Sequence, residues 1–472
     1  MTISLRTNES KAAFACHSPV VILVVSLFLL SFGAHSSRLH AQTFGDMHDF
    51  NCSRDGCDPN FSGIVAQGID GNLYGTLAEG GAGCGSVFRI TPSGAFNDIY
   101  NFSGQDGCYP VGGLTLGTDN YLYGTTNLGG LNNFGTIFKI TPMGNLIKLH
   151  DFTSEEGGYP YAPPVQGKKA FYGVTSENTA YSITPTGTFK LFRDRLPGPS
   201  YAPLLLASNG SFYGTTSSGG SHNVGTVFRL TAAGAVTTVY SFDFSHGAYL
   251  YQPLVQGSDK NLYGMTNEGG NGQAPDGVVF KLTLKGVITV LHNFDGDIGT
   301  DGSFPTDGLV AATDGTFYGT TLIAPNGGTA LYGTLFRIDK NGSYSQLHVF
   351  DGTHGQNPAS TPMQHTNGII YGTADLGGAS DGGVFWELNS GIFPFVSVVG
   401  IPSGKVNQVV EILGQGFTTA SSVKFGSVSS NFNIYSDTYL TAVVPSAAKS
   451  GTISVTTSKG TFVSKQVFKV LR

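Results

Sequence analysis

The sequence predicts an all-β chain: a seven-bladed β-propeller closed by its own N-terminal strand, followed by an immunoglobulin-like β-sandwich. Three observations carry this reading. A Tyr-Gly pair recurs at Tyr74, Tyr123, Tyr172, Tyr213, Tyr263, Tyr318 and Tyr371, at intervals of 49, 49, 41, 50, 55 and 53 residues. A period in this range with four strands per unit is the mark of a propeller blade. Each period holds four short runs rich in β-branched and aromatic residues between Gly-rich turns, as in residues 253–294, which suits half-buried pleated strands. From about Phe393 the pattern becomes alternating strands with turn signals about every ten residues, the signature of a sandwich.

The chain begins with a segment that reads as a leader. Arg6 and Lys11 precede an apolar run at residues 20–32, too short to span a bilayer comfortably and suited to the core of a signal peptide. Residues 1–41 are therefore read as a signal peptide, with cleavage after Ala34 or Ala41; an uncleaved N-terminal anchor is the alternative. No later stretch is apolar enough to span a membrane, and no anchor is expected after Arg472.

Cysteine usage agrees with export. Beyond Cys16 of the leader, Cys52, Cys57, Cys84 and Cys108 crowd into the first repeat and its flanking loops. An even number in an exported chain reads as two disulfides. Four cysteines allow three pairings; the expected one is Cys52–Cys57 and Cys84–Cys108. No CxxC pair or His at zinc spacing favours a metal.

The repeats occupy residues 42–390. Sorted by order within a repeat, the four classes of run have seven members each, but the first member of the fourth class, at residues 44–50, precedes every other run. The last repeat stops at its third run, residues 383–388. The N-terminal strand is thus expected to complete the last blade and close the ring, which removes an open edge. The sandwich is assigned to residues 393–472.

Composition narrows function. Glycine is 68 of 472 residues and charged residues are 12%, against a usual ~25%; tight turns account for the first. The net charge of −6 and the lack of a basic stripe argue against nucleic acid. No HExxH, GxSxG, phosphate-binding loop or dinucleotide fingerprint occurs, so no catalytic residue, metal or cofactor is assigned. His48, His150, His292 and His348 share one position on the outermost strand, where copies in separate blades lie too far apart to share a ligand, and they are read as packing. The loop at residues 295–302 reads as a solvated turn rather than a calcium site, since the spacing is not that of an EF-hand. Glu155 and Glu156, adjacent on a turn, do not face one cleft.

Two connections per repeat are tight and two are long, and the long ones leave on one face, the candidate functional face. There Tyr161, Tyr201 and Tyr251 occupy one repeat position in three consecutive repeats, three residues before the first apolar residue of the inner strand; Ser62, Val111, Thr306 and Ala359 hold it elsewhere. Tyr159 and Tyr249 stand two residues earlier, on the same side of an extended strand. Converging inner strands would cluster these rings at the channel mouth, for stacking on sugars or gripping a peptide; packing between blades is the alternative.

Two resemblances complete the reading. Residues 402–404, 410–417, 423–426, 437–445 and 451–455 match the marks of the IPT/TIG domain, whose members are spacers and interaction modules. Residues 44–388 resemble the bacterial GloVer tandem repeat, its LYGTT…GG…GTVFKIT…G pattern standing in residues 122–141. Repeat three departs from it: residues 168–183 lack the Gly-Gly loop. The resemblance implies a bacterial secreted, cell-surface or periplasmic protein and carries no activity. The function expected is an exported, monomeric, non-catalytic binder of extracellular carbohydrate or protein. The alternative is an extracellular polysaccharide hydrolase or lyase with a loop-borne site.

Overall fold

The computed structural model describes residues 42–471 apart from 60–64, 81–82, 272–275, 297–300, 306, 325–331 and 359. The leader lies outside the described residues. Among those described there is no α-helix, only two short 3₁₀ turns, Phe244–His246 and Phe417–Thr419.

Seven four-stranded antiparallel sheets account for the repeats. Sheets one to six take their strands in sequence order and span residues 66–101, 115–151, 165–191, 205–241, 255–293 and 310–349. The seventh is made of Met363–Gln364, Ile370–Ala374 and Val384–Asn389, with Thr43–Asp49 paired antiparallel to the last of these. Thr43–Asp49 also carries a register shift between Asp46 and His48. The same irregularity sits on the outer strands of sheets one, two, four, five and six. A bulge at a fixed place is a built feature of a strand position, so the displaced strand is an outer strand in detail as well as in count.

The Tyr-Gly pair has a physical cause. In sheet five, strand Leu262–Thr266 is buried along its length. The Tyr263 hydroxyl donates to Asp259 Oδ2 at 2.8 Å, tying the strand to the tight turn before it. Tyr74, Tyr123 and Tyr318 do the same to Asp70, Asp119 and Asp314. In sheet three lysines fill that turn, and the Tyr172 hydroxyl instead reaches Ala232 O at 3.5 Å. The glycine admits the aromatic ring of the next strand: a Cβ on Gly264 would lie 2.7 Å from Phe280 Cζ.

The inner strands, and the outer strand of sheet three, are short. The inner strands pair over only two residues in each sheet. Four of them closely follow a proline, Pro163, Pro203, Pro253 and Pro362, which cannot donate to a ladder, and inner strands of neighbouring sheets approach each other, which leaves little room for a long one. The outer strand of sheet three is Phe189–Leu191. Phe189 packs with the buried Ile183 and Phe152, whereas Arg193, Asp194 and Arg195 are exposed or at the surface.

Neighbouring sheets share cores. Phe50, Leu73, Phe88, Tyr371 and Phe385 form one buried cluster, joining sheets one and seven. Tyr263, Phe294, Leu309 and Phe336 join sheets five and six. Polar bonds repeat the pattern at the inner edge. Gln166 Nε2 donates to Thr118 Oγ1 between sheets three and two, and Gln67 Nε2 donates to Thr366 Oγ1 between sheets one and seven.

The C-terminal part is an immunoglobulin-like sandwich. One sheet orders Ser397–Val398, Val409–Leu413, Tyr439–Val443 and Phe432–Ile434; the other orders Val428–Ser430, Ser422–Phe425, Ile453–Thr457 and Gly460–Val463. Val396, Ile412, Phe417, Val423, Leu440, Ile453 and Phe468 are buried between them. The sandwich packs on tight turns of the repeats: Val399, Leu413 and Tyr439 meet Ile69 and Leu116. Thr438 Oγ1 donates to Ile69 O at 2.9 Å.

Candidate functional site

The long connections leave the sheets on the face opposite those tight turns. In six of the seven, one residue of the connection leading into the inner strand has a left-handed backbone: Asp58, Tyr109, Tyr159, Tyr249, Phe304 and Asn357, with φ between 54° and 61°. Such a conformation is uncommon outside glycine and costs of order 1 kcal/mol. Two hydrogen bonds clamp each tyrosine in the third and fifth sheets. Tyr159 N donates to Phe134 O at 2.9 Å, and Tyr249 N to Val224 O at 2.8 Å. Their own carbonyls accept from Ser176 N and Asn267 N.

This reversal separates the five candidate tyrosines into two groups. The left-handed residue breaks the two-residue alternation on which a shared side was expected. The Tyr159 ring lies against Phe134, centroids 5.4 Å apart, and the Tyr249 ring against Phe244 at 6.0 Å. Tyr161, Tyr201 and Tyr251 come together as a row. Tyr161 and Tyr201 meet edge to face at 5.1 Å, and Tyr201 and Tyr251 meet at 5.6 Å with planes 45° apart. The row is not buried between sheets: Tyr161 and Tyr201 are half-buried and Tyr251 is 40% exposed. Burial, and then its two neighbours, raise the Tyr201 hydroxyl above its ordinary pKa, so it stays neutral at physiological pH. Of the other residues at this position, Val111 is buried, while Ser62, Thr306 and Ala359 lie outside the described residues.

The same face carries carboxylates at the ends of the repeat region. Asp375 follows the second strand of sheet seven, where other sheets have Ala78, Asn127, Ser176, Ser217, Asn267 or Leu322. It is buried, and Asn357 Nδ2 donates to its Oδ2 at 3.0 Å. Burial, then the hydrogen-bonded Asp58 carboxyl of the first repeat, push Asp375 well above the ordinary carboxylate range. Sequence gave no signal for this pair, since 317 residues separate partners that only the fold brings together.

The remaining candidates are structural. The rings of His48, His150 and His292 stack on Phe96, Phe189 and Tyr344 of the neighbouring sheet. Each also bonds an acid of its own connection, Asp55, Glu156 and Asp301. Asp301 Oδ1 accepts from Asp295 N, so the described part of the 295–302 loop is held by a turn. Cys52 is bonded to Cys57 and Cys84 to Cys108. Among the described residues no group of three or more His, Cys, Asp or Glu is placed to hold a metal ion, and no helix is long and apolar enough to cross a membrane.

The Gloeobacter/Verrucomicrobia repeat matches the chain twice, over residues 36–189 and 176–386, and the IPT/TIG domain matches residues 394–470. No curated relative matches the sequence. Among solved structures, a streptogramin B lyase aligns with a TM-score of 0.50 and 15% identity, over 74% of this chain and 97% of its own. Virginiamycin B lyase from Staphylococcus aureus aligns with the same score and identity, over 74% and 98%. At this identity the likeness is one of fold, in propeller-like four-stranded sheets.

Proposed function

The chain belongs to the Gloeobacter/Verrucomicrobia repeat family, and from that premise we propose that it is an exported binding protein whose repeats form one closed seven-bladed propeller. Four features support closure: the pairing of Thr43–Asp49 with Val384–Asn389, the Gln67–Thr366 bond, the bond from Thr373 Oγ1 to Pro59 O, and the core shared by sheets one and seven. The ring is taken to occupy residues 42–390 and the sandwich residues 393–472. Two disulfides in one repeat fit an oxidising compartment outside the cytoplasm.

The row Tyr161–Tyr201–Tyr251 carries the binding reading. Three rings in a row, Tyr201 touching the other two, accessible on the long-connection face, form a surface suited to the flat faces of sugars or to an extended peptide. A glycan array probed with the protein after removal of the leader tests this. Retention on an array component, abolished by replacing all three tyrosines with Ala in a variant of unchanged circular dichroism, is the result expected. Equal retention by that variant would overturn the assignment.

A second reading, a carbohydrate-acting enzyme, rests on the Asp58–Asp375 pair. A carboxyl that keeps its proton beside an acidic partner has the form of a general acid. Turnover of a polysaccharide panel that disappears in Asp375→Asn would favour this reading; an inactive parent protein would leave binding as the function.

A further inference from the structure

What the tyrosine row can grip depends on the charge around it. The long connections of the seven sheets are poor in cations. No lysine stands on any of them, and their arginines are Arg54, Arg193 and Arg195. Arg54 is paired with Asp55, its Nε 2.6 Å from Oδ1. The lysines of the repeats lie instead on strands or tight turns. Acids are frequent on the long connections. Some hold their own connection, as Asp55, Glu156 and Asp301 do through the histidines. Glu79, Glu177 and Glu268 do not.

These three share one repeat position in sheets one, three and five, where Leu128, Ser218, Ile323 and Leu376 stand in the others. Glu79 and Glu177 are exposed and Glu268 is half-buried. Among the described residues no Lys, Arg or His lies within ion-pair distance of their carboxylates. Arg195 Nη1 donates to the main-chain oxygen of Glu177 at 3.1 Å, not to its side chain. Two of the three flank the tyrosine row. Ser176 N donates to Tyr159 O, which sets Glu177 beside the connection that carries Tyr161. Glu268 and Ala248 exchange two main-chain bonds just ahead of Tyr251. The rings feel both acids: burial, then Glu268, raise the Tyr251 hydroxyl, and Glu177 adds to the effect of burial and of the neighbouring rings on Tyr201.

We propose that the ligand of the tyrosine row is an extended peptide segment bearing lysine or arginine, its cations set against the faces of Tyr201 and Tyr251 with Glu177 and Glu268 as counter-charges. This rests on the row being the binding surface. A cation over a tyrosine face is attracted by the quadrupole of the ring, and a face rich in acids and poor in bases concentrates cations near it. Ring orientation favours a peptide over a sugar chain. The planes of Tyr161 and Tyr201 are 70° apart and those of Tyr201 and Tyr251 45° apart. The three rings therefore form no single flat platform; they leave notches that take separate side chains. Side chains on one side of an extended peptide recur about every 6.6 Å, close to the 5.1 and 5.6 Å between ring centroids.

The experiment is fluorescence anisotropy of two labelled decapeptides, alternating Lys-Ser and alternating Glu-Ser, titrated with the full mature chain. The Lys-Ser peptide should bind, more weakly as salt rises, and the Glu-Ser peptide should not. Replacing Glu177 and Glu268 together by Gln should weaken binding about fivefold. Glu79→Gln, at the same repeat position but in sheet one, should leave it unchanged, and the triple Tyr→Ala variant should abolish it. Circular dichroism checks that each variant is folded. No binding of the Lys-Ser peptide by the parent overturns the proposal, as does full affinity in the Glu177→Gln, Glu268→Gln variant. An equal loss in Glu79→Gln also overturns it, because binding would then belong to the net charge of the face. Retention of a neutral glycan or a glucosamine polymer through the three tyrosines, with no Lys-Ser binding, overturns the cationic peptide and keeps the row as the binding surface. Lys-Ser binding that survives loss of the three tyrosines overturns the row itself.

Discussion

The imidazole of His348 lies flat on the ring of Phe44, with centroids 3.7 Å apart and planes 9° from parallel. Phe44 belongs to the N-terminal strand and His348 to the outer strand of sheet six. The contact repeats, between the N-terminal strand and sheet six, the stacking of His48 on Phe96, His150 on Phe189 and His292 on Tyr344. Phe44 also meets Phe350 edge to face at 5.5 Å. The N-terminal strand is thus held by its ladder and by the sheet beside it.

Phe44→Ala should therefore destabilise the repeat region. Truncating a fully buried Phe costs about 3–5 kcal/mol, and Phe44 is half-buried, so a loss of about 2 kcal/mol is expected. Deleting residues 42–51 should cost more, because it also opens an edge on Val384–Asn389. Urea unfolding followed by tryptophan fluorescence reports it directly, since Trp386 sits in the strand that is uncovered. An unchanged midpoint would show that the strand is dispensable.

The same contact predicts acid sensitivity. Burial lowers His348 to a pKa of about 4, against an ordinary value near 6.5. The folded state thus prefers the neutral ring, and the contribution is present above about pH 6.5 and lost as pH falls toward 4. Burial lowers His365 in the same direction. The Tm should fall across this window, and His348→Phe should shrink the fall between pH 7 and pH 4.5 relative to the parent. An identical fall in both proteins would remove His348 from the account.

The two disulfides should differ in weight. Cys52 and Cys57 are 5 residues apart and Cys84 and Cys108 are 24 apart. Chain-entropy reasoning assigns about 2 kcal/mol to the short loop and about 3.5 kcal/mol to the long one. Replacing Cys84 and Cys108 by Ser should lower stability more than replacing Cys52 and Cys57. The reverse order in denaturant titrations would point to native-state geometry rather than loop length.

What sequence revealed and what it missed divide along physical lines. The Tyr-Gly signature is legible because each Tyr263-type hydroxyl and each Gly264-type contact is local, within one sheet of one repeat. The displaced outer strand is legible because counting needs no geometry. The left-handed backbone at Tyr159 and Tyr249 is not, since nothing but glycine announces it in a sequence.

The Tyr-Gly signature itself yields the sharpest stability test. A methyl group at Gly264 would stand 2.7 Å from Phe280 Cζ and 2.8 Å from Leu254 Cδ2. Phe280 is fully buried and Leu254 nearly so, so neither can move into solvent. Forcing an extra carbon into a packed core costs about 1–3 kcal/mol, and Gly264→Ala should fall in that range. The cost is one of space rather than of backbone conformation, and space can be returned. Phe280→Leu removes the ring edge that the methyl would strike, at its own cost in buried area. In the double variant the added methyl should therefore cost less than it does alone, giving a coupling of about 1 kcal/mol, as contacting residues show. Four unfolding curves, for the parent, the two single variants and the double, measure it. Strict additivity would mean that Phe280 is not what the glycine makes room for.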